Sequence, residues 1–224
     1  MTSWPPSDPG ESLALGQKLN EILLELGEAP LDSGLAGEFG AYAALLIRWN
    51  ARMNLTAVRD EEGILRRHFA ESIACARILP AGIATLLDYG SGAGFPGLPI
   101  ALCRREIAVT LAESQGKKVA FLREAARVLG IVVRIHGGRA EALGQRFDCV
   151  TLRAVDRMGD AVRAASSLVA DGGLLVLLTT TVEEFAIKGW AGAGFSWEAG
   201  LPLPGSSDRL VLLGHREFVP RGTL

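Results

Sequence analysis

Cysteine is scarce in this chain, with three among 224 residues: Cys75, Cys103 and Cys149. They are odd in number, far apart and set in apolar segments, which fits neither a metal-ligand spacing nor a disulfide framework. They read as buried thiols in a reducing compartment, and no bound metal is expected. No run approaches the ~18 consecutive apolar residues of a membrane span. Residues 1–10 hold four prolines and glycines, no basic cluster and no apolar stretch, so a frayed tail is expected there rather than a secretory leader, and a cytoplasmic protein with it. Excess charge of one sign is also lacking: the net charge is −2. A nucleic-acid partner would therefore have to be held by a local basic patch.

What is present is an ordinary globular composition, 49% hydrophobic and 21% charged, organised around one stretch. Leu86-Leu87-Asp88-Tyr89 is an apolar run that ends in an acid and then breaks into Gly90-Ser91-Gly92-Ala93-Gly94-Phe95-Pro96-Gly97. This reads as a strand feeding a nucleoside-binding turn, where glycine supplies positive φ or lets backbone approach a ligand closely. The spacing G-x-G-x-G, with Asp88 two residues ahead, departs from the dinucleotide fingerprint G-x-G-x-x-G and favours S-adenosylmethionine over NAD. A second apolar run, 107–112, ends at Glu113, about 20 residues past the glycines. A carboxylate there lies beside the first strand's end and can accept hydrogen bonds from both ribose hydroxyls.

The first third predicts helices. Leu15, Leu19, Ile22 and Leu26 form one stripe, stopped by Gly27; Phe39, Tyr42, Leu46, Trp49 and Met53 form a second. Asp60 with Glu61 and Glu62 opens a third helix expected to run to about Leu79. From Thr85 the pattern alternates: strands at 85–89, 107–112, 131–136, 147–152 and 174–179, helices from about Gly97 and at 115–129 and 161–169, and two closing strands around 195–197 and 209–218. This predicts an α/β fold, a mostly parallel sheet wound with helices. No internal repeat and no linker beyond the glycine-rich 191–194 is visible. Residues 1–83 are accordingly expected to be a docked helical cap and 84–224 the main domain.

Several phrases then point to one family together: Trp49-Asn50, Asn54-Leu55-Thr56-Ala57-Val58, His68 with Ser72, Gly94-Phe95-Pro96-Gly97-Leu98-Pro99, Lys117-Lys118, Gly138-Arg139-Ala140-Glu141, and Phe147-Asp148 leading to Arg153-Ala154. The ordered set, over roughly residues 12 to 180, resembles the RsmG (GidB) family of small-subunit (16S) rRNA guanine-N7 methyltransferases. The resemblance implies a class I S-adenosylmethionine-dependent methyltransferase fold, Rossmann-like with helices on both faces of the sheet, behind an N-terminal helical extension. It implies that Gly90 and Phe95 line the methionine end of the cofactor and that Ala140 and Glu141 hold its adenine. Asp88, Gly92, Gly94 and Glu113 complete the expected cofactor set, and Arg153 is close to both cofactor and substrate. The implied partner is small-subunit rRNA or the assembling subunit, met by a monomer. Two departures stand out. Glu71 replaces a common Asp before the position of Ser72, and Leu177-Leu178-Thr179-Thr180 occupies the place of a usual lysine and glycine after the fifth strand.

Guanine N7 carries a lone pair and needs no deprotonation, so positioning can supply most of the rate. Consistent with this, the chain has no Asn-Pro-Pro-Tyr run of the kind that orients exocyclic amines. Arg153 and His68 are the candidates for catalysis, with Arg153 directing its donors to O6 or a phosphate. Asn54, Ser72 and Arg139 are the candidates for substrate binding; His68 and Ser72, four apart, share a helix face. Arg48, Arg52, Arg59, Arg66, Arg67, Lys117, Lys118 and Arg123 are the expected phosphate-binding patch. The glycine turn and Glu113 by themselves fit a small-molecule methyltransferase equally well, and the absent lysine fits a non-catalytic cofactor-binding protein that contacts RNA.

Overall fold

The computed structural model describes residues 8–153, 155 and 157–218. Helix α1 (Pro9–Glu25) starts at a proline, which has no amide hydrogen to leave unpaired, and Asp8 caps it by accepting from the Gly10 amide at 3.0 Å. The chain is thus already helical at Pro9 and Gly10, and the rest of the expected tail lies outside the described residues. Leu15, Leu19 and Ile22 are buried against α2 (Ser33–Met53), whose Phe39, Tyr42, Leu46 and Trp49 are buried in turn. The expected third helix is built in three pieces: α3 (Glu61–Ile64), capped by Asp60, a π-helical segment (Leu65–Ala70), and α4 (Glu71–Ile78). The wider π turn carries Arg67 and His68, and such insertions are frequent at functional sites.

The alternating part follows as β1 (Thr85–Tyr89), α5 (Gly97–Cys103), β2 (Ala108–Ala112), α6 (Gly116–Leu129), β3 (Arg134–His136), a 3-10 turn (Ala140–Leu143), β4 (Phe147–Arg153), α7 (Met158–Ser167), β5 (Val169–Thr180), α8 (Glu184–Ala191), β6 (Phe195–Trp197), β7 (Leu201–Pro202) and β8 (Arg209–Arg216). The sheet order is β3-β2-β1-β4-β5-β8-β6, with β7 paired to β8. β3, β2, β1, β4 and β5 are mutually parallel, and β8 runs antiparallel to β5 and to β6. Reversal at β8 brings its first residue, Arg209, opposite Thr180 at the last position of β5.

Strand alternation sends successive residues to opposite faces, and each face carries its own core. Leu86, Leu111, Cys149, Val176 and Leu213 join the N-terminal helices, α5 and α6 in one continuous cluster. Leu87, Val150, Leu152, Leu175 and Leu212 join α7 and Ile187 of α8 in the other. The helical third therefore packs directly on the sheet.

Besides α7, which runs Met158–Ser167 where 161–169 was expected, and the additional short strand β7, three elements differ from the sequence pattern. β3 starts at Arg134 because the apolar residues before it do not enter the sheet, and Val132 is 99% exposed. β5 starts at Val169, in a stretch the pattern assigned to helix and loop, because its register with β4 shifts between Phe147 and Cys149 and hides the period. α8 was not expected: only Ile187 of its eight residues is buried, so it shows no stripe.

Candidate functional site

The parallel strands end on one edge, and the glycine turn leaves β1 there. Gly90, Gly92 and Gly94 all have positive φ, +69°, +57° and +92°. The turn is pinned from both sides: the Ser91 amide donates to the Ala112 carbonyl at 3.0 Å, and the Ser91 hydroxyl donates to the Asp88 carbonyl at 3.0 Å. Asp88 itself is fully buried. Its Oδ1 accepts from the Thr151 hydroxyl at 2.8 Å and its Oδ2 from the Gly97 amide at 3.2 Å. Burial pushes its carboxyl up to about 6, with these hydrogen bonds pulling the other way. A Cβ at Gly94 would lie 2.5 Å from Leu98 and 2.6 Å from the Tyr42 hydroxyl, whereas one at Gly92 would meet nothing nearer than the Gly90 carbonyl at 3.9 Å. Gly94 is thus a packing glycine, and Gly92 faces open space.

Glu113, buried beyond the end of β2, ties this turn to the next loop. Its Oε2 accepts from the Gly92 amide at 2.9 Å and its Oε1 from the Gln115 amide at 2.8 Å. Two cavities meet at this carboxylate, one of about 770 Å³ and one of about 430 Å³, with Gly90, Glu113 and Val155 lining both. The smaller is walled by Tyr89, Arg139, Ala140 and Glu141. There Tyr89 donates to Glu141 Oε1 at 3.0 Å, and burial followed by this bond raises the phenol to about 12.

The N-terminal helices and the loop after α2 build the far wall of the larger cavity. Buried Asn50 holds that loop, accepting from the Thr56 amide at 2.9 Å and donating to the Val58 carbonyl at 3.0 Å. The Thr56 hydroxyl accepts from the Val58 amide and lies 2.7 Å from His68 Nε2. Burial above all, then the charges of Arg153 and Arg67, lowers His68 to about 3, so the ring is neutral near pH 7. Its Nδ1 is buried without a hydrogen-bond partner among the described residues. Phe95 is stacked between His68, at 5.1 Å, and Tyr42, at 5.2 Å, and the Tyr42 hydroxyl donates to the Ala93 carbonyl at 2.5 Å. Aromatic packing from the helical third thereby fixes the glycine turn.

Charge concentrates at the ends of β4 and β8. Arg153 Nη2 lies 2.9 Å from Glu71 Oε2 and also donates to the Arg67 carbonyl, and Nη1 donates to the Ser72 hydroxyl at 3.4 Å. Arg209 lies 2.7 Å from Glu71 Oε1. One carboxylate, 1% exposed, therefore joins two guanidiniums of the same cavity wall. Burial lowers the pKa of Arg153 from its ordinary value, and Glu71 opposes that shift.

Of the residues singled out from the sequence, His68, Gly90, Gly92, Phe95, Glu113 and Arg153 line the larger cavity, and Gly90, Glu113, Arg139, Ala140 and Glu141 the smaller. Asp88, Gly94 and Ser72 stand behind these walls, fixing the turn and Arg153. Asn54 caps α2 with a left-handed φ of +49° and accepts from Arg59 at 2.7 Å, outside both cavities. Of the expected basic patch, Arg67 and Lys118 reach the larger cavity, while Arg66 is engaged by Glu25 and Glu62. Sequence reasoning missed Thr56, Glu71, Thr179, Glu183 and Arg209 as members of this wall. Arg209 carries no local signal; only the antiparallel register with β5 brings it in.

The family model described as GidB, rRNA small subunit methyltransferase G, matches residues 36–189. The chain is 42% identical over 156 residues to a protein of Stenotrophomonas maltophilia (strain K279a), covering 68% of this chain and 73% of that one. It is 35% identical over 195 residues to one of Xanthomonas campestris pv. campestris (strain B100), covering 84% and 90%. Both relatives are named Ribosomal RNA small subunit methyltransferase G. Among solved structures, a methyltransferase from Pyrococcus furiosus aligns with a TM-score of 0.59 at 16% identity, covering 83% of this chain and all of that one. Ribosomal protein L11 methylase from Lactobacillus delbrueckii subsp. bulgaricus aligns with a TM-score of 0.56 at 13% identity, covering 70% and 80%. These two likenesses bear on fold alone, which is that of class I methyltransferases.

Proposed function

Since the chain belongs to the GidB (rRNA small subunit methyltransferase G) family, we propose that it transfers the methyl group of S-adenosylmethionine to N7 of a guanine in the 16S rRNA of the small ribosomal subunit. The observation that supports this best is the pair of adjoining cavities, which share Gly90, Glu113 and Val155 in their walls. A glycine turn and a buried carboxylate stand where the two join, and guanidiniums line the larger one. The residues present suit the cofactor: Gly92 leaves open space above the turn, Glu113 retains lone pairs for ribose hydroxyls, and the smaller cavity offers Ala140 and Glu141 to an adenine. Phe95 and Gly90 would meet its methionine end. When bound, S-adenosylmethionine supplies an electrophilic methyl on a sulfonium, and the protein's task is alignment.

The chain's own residues fit a reaction without a base. Guanine N7 attacks with its lone pair, and His68, neutral by burial, instead anchors Thr56 and stacks on Phe95. Arg153, held from three sides, can direct its remaining donors to guanine O6 or a phosphate; a donor on N7 itself would block attack. Asp88, Gly94 and Ser72 act through the turn and through Arg153. Residues 8–83 serve as a cap that completes the substrate wall with residues 55–58, Arg67, His68 and Glu71. No helix among the described residues is long and apolar enough to cross a membrane, and we place the reaction in the cytoplasm.

The test uses small-subunit RNA carrying 7-deazaguanine at the mapped target, which replaces N7 by C–H and leaves the Watson–Crick edge intact. Binding should persist and methyl transfer should vanish. Transfer to the deaza substrate, or a methyl mapped to an amine or ribose oxygen, would overturn the N7 assignment. Transfer that persists when RNA is omitted would favour a small-molecule substrate.

A further inference from the structure

The larger cavity contains three carboxylates with unequal commitments. Glu71 is neutralised by Arg153 and Arg209, and Glu113 accepts one backbone amide on each oxygen, from Gly92 of the glycine turn and from Gln115 of the next loop. Glu183, between β5 and α8, has no ion-pair partner among the described residues. Its Oε2 accepts from the Thr179 hydroxyl at 2.8 Å and from the Thr180 hydroxyl at 3.2 Å, which orients the carboxylate without cancelling its charge. Leaving a half-buried carboxylate on a cavity wall without a cation costs solvation, and a ligand with matching donors recovers it.

Guanine has such donors. N1–H and the 2-amino group point the same way from its Watson–Crick edge, and a carboxylate accepts both side by side. Adenine presents a lone pair at N1 and would face the carboxylate with like polarity. Gripping the Watson–Crick edge also leaves N7, on the opposite side of the purine, free to face the glycine turn. As N7 gains a methyl group the ring becomes cationic and N1–H more acidic. A hydrogen bond from N1–H to a carboxylate therefore strengthens toward the transition state, which is the condition for raising turnover as well as affinity.

On the reading of the protein as a guanine-N7 methyltransferase, we infer that Glu183 is the specificity-determining residue that reads the target purine, its carboxylate accepting from guanine N1–H and the 2-amino group while Thr179 and Thr180 hold it in place. Inosine, which lacks only the 2-amino group, tests this without altering the protein. With inosine at the target of an otherwise identical small-subunit RNA, wild-type kcat/KM should fall by about tenfold or more, the scale of a hydrogen bond to a charged group. Glu183→Gln, nearly isosteric, should lower kcat/KM on guanine by about tenfold or more and bring the guanine-to-inosine ratio below about three, because the amide no longer offers two acceptors. Its S-adenosylmethionine affinity by calorimetry should match wild type, which also reports an intact fold. A wild-type ratio below about three, or a Glu183→Gln ratio equal to wild type, overturns the assignment of Glu183 and leaves the guanine-N7 reading standing. Failure of the wild type to methylate the guanine RNA at all overturns that reading, and this inference with it.

Discussion

Glu71 offers the sharpest test of how the site is held. Its carboxylate is 1% exposed and bridges Arg153, 11% exposed, to Arg209, 25% exposed, with contacts of 2.9 and 2.7 Å. Glu71→Gln preserves shape but removes the charge; the amide oxygen can serve one guanidinium, and the amide nitrogen then presents donors to the other. Removing one partner of a buried ion pair costs about 3–5 kcal/mol because the remaining charge is left uncompensated. Arg209, a quarter exposed, can recover part of its hydration, so the loss should fall at the low end, about 3 kcal/mol. At about 2–4 °C per kcal/mol for a chain of this size, Tm should drop by roughly 6–12 °C. Urea denaturation measures the free energy directly, and adding Arg209→Gln in a double-mutant cycle should show a coupling of about 1–3 kcal/mol, since the second change removes one of the two charges that the first left without its carboxylate. A Glu71→Gln protein within 1 kcal/mol of wild type would falsify the claim that this carboxylate pairs with both guanidiniums in a buried setting.

Two further outcomes follow from the turn and the ring beside it. Gly92→Val should abolish S-adenosylmethionine binding by calorimetry while costing about 1–3 kcal/mol of backbone strain, whereas Gly94→Val should cost more stability in thermal melts because its side chain would collide with Leu98 and Tyr42; unchanged cofactor affinity in Gly92→Val would refute the reading of the turn. For His68, lowered to about 3 by burial first, the unfolded chain takes up the proton near pH 6.5 and the folded chain does not, so stability is full above that pH and is lost as pH falls; relative to His68→Gln, wild type should lose up to roughly 1.4 kcal/mol per pH unit between about 6.5 and 3, and parallel stability profiles would refute the burial argument.

Much of the fold was legible because its periods are clean. The stripes in α1 and α2, the alternation of strand and helix from Thr85, and the break into glycines after Tyr89 each follow from burying one face or turning sharply at one place. What escaped has little apolar signature or a disturbed one. α8 buries a single side chain, and β5 passes through a register shift next to Gly172 and Gly173, so neither advertises its state to a period count. The π turn escaped for another reason: residues 65–70 continue a helical pattern with no Gly or Pro to mark a break, and the wider turn goes with tertiary contacts, Phe69 packing against Tyr42 and Phe95.

The site divides along the same line. Residues that act through local backbone, Gly90, Gly92 and Glu113, announce themselves by spacing, because a ligand turn and its neighbouring strand end lie at a fixed distance along any βαβ unit. Residues that act through tertiary register do not. Arg209 and Glu71 are 138 positions apart and meet only because β8 reverses against β5 and places Arg209 opposite Thr180. Glu71 joins Arg153 at the end of β4 to Arg209 at the start of β8, so one buried carboxylate ties together two strand ends that no local spacing connects.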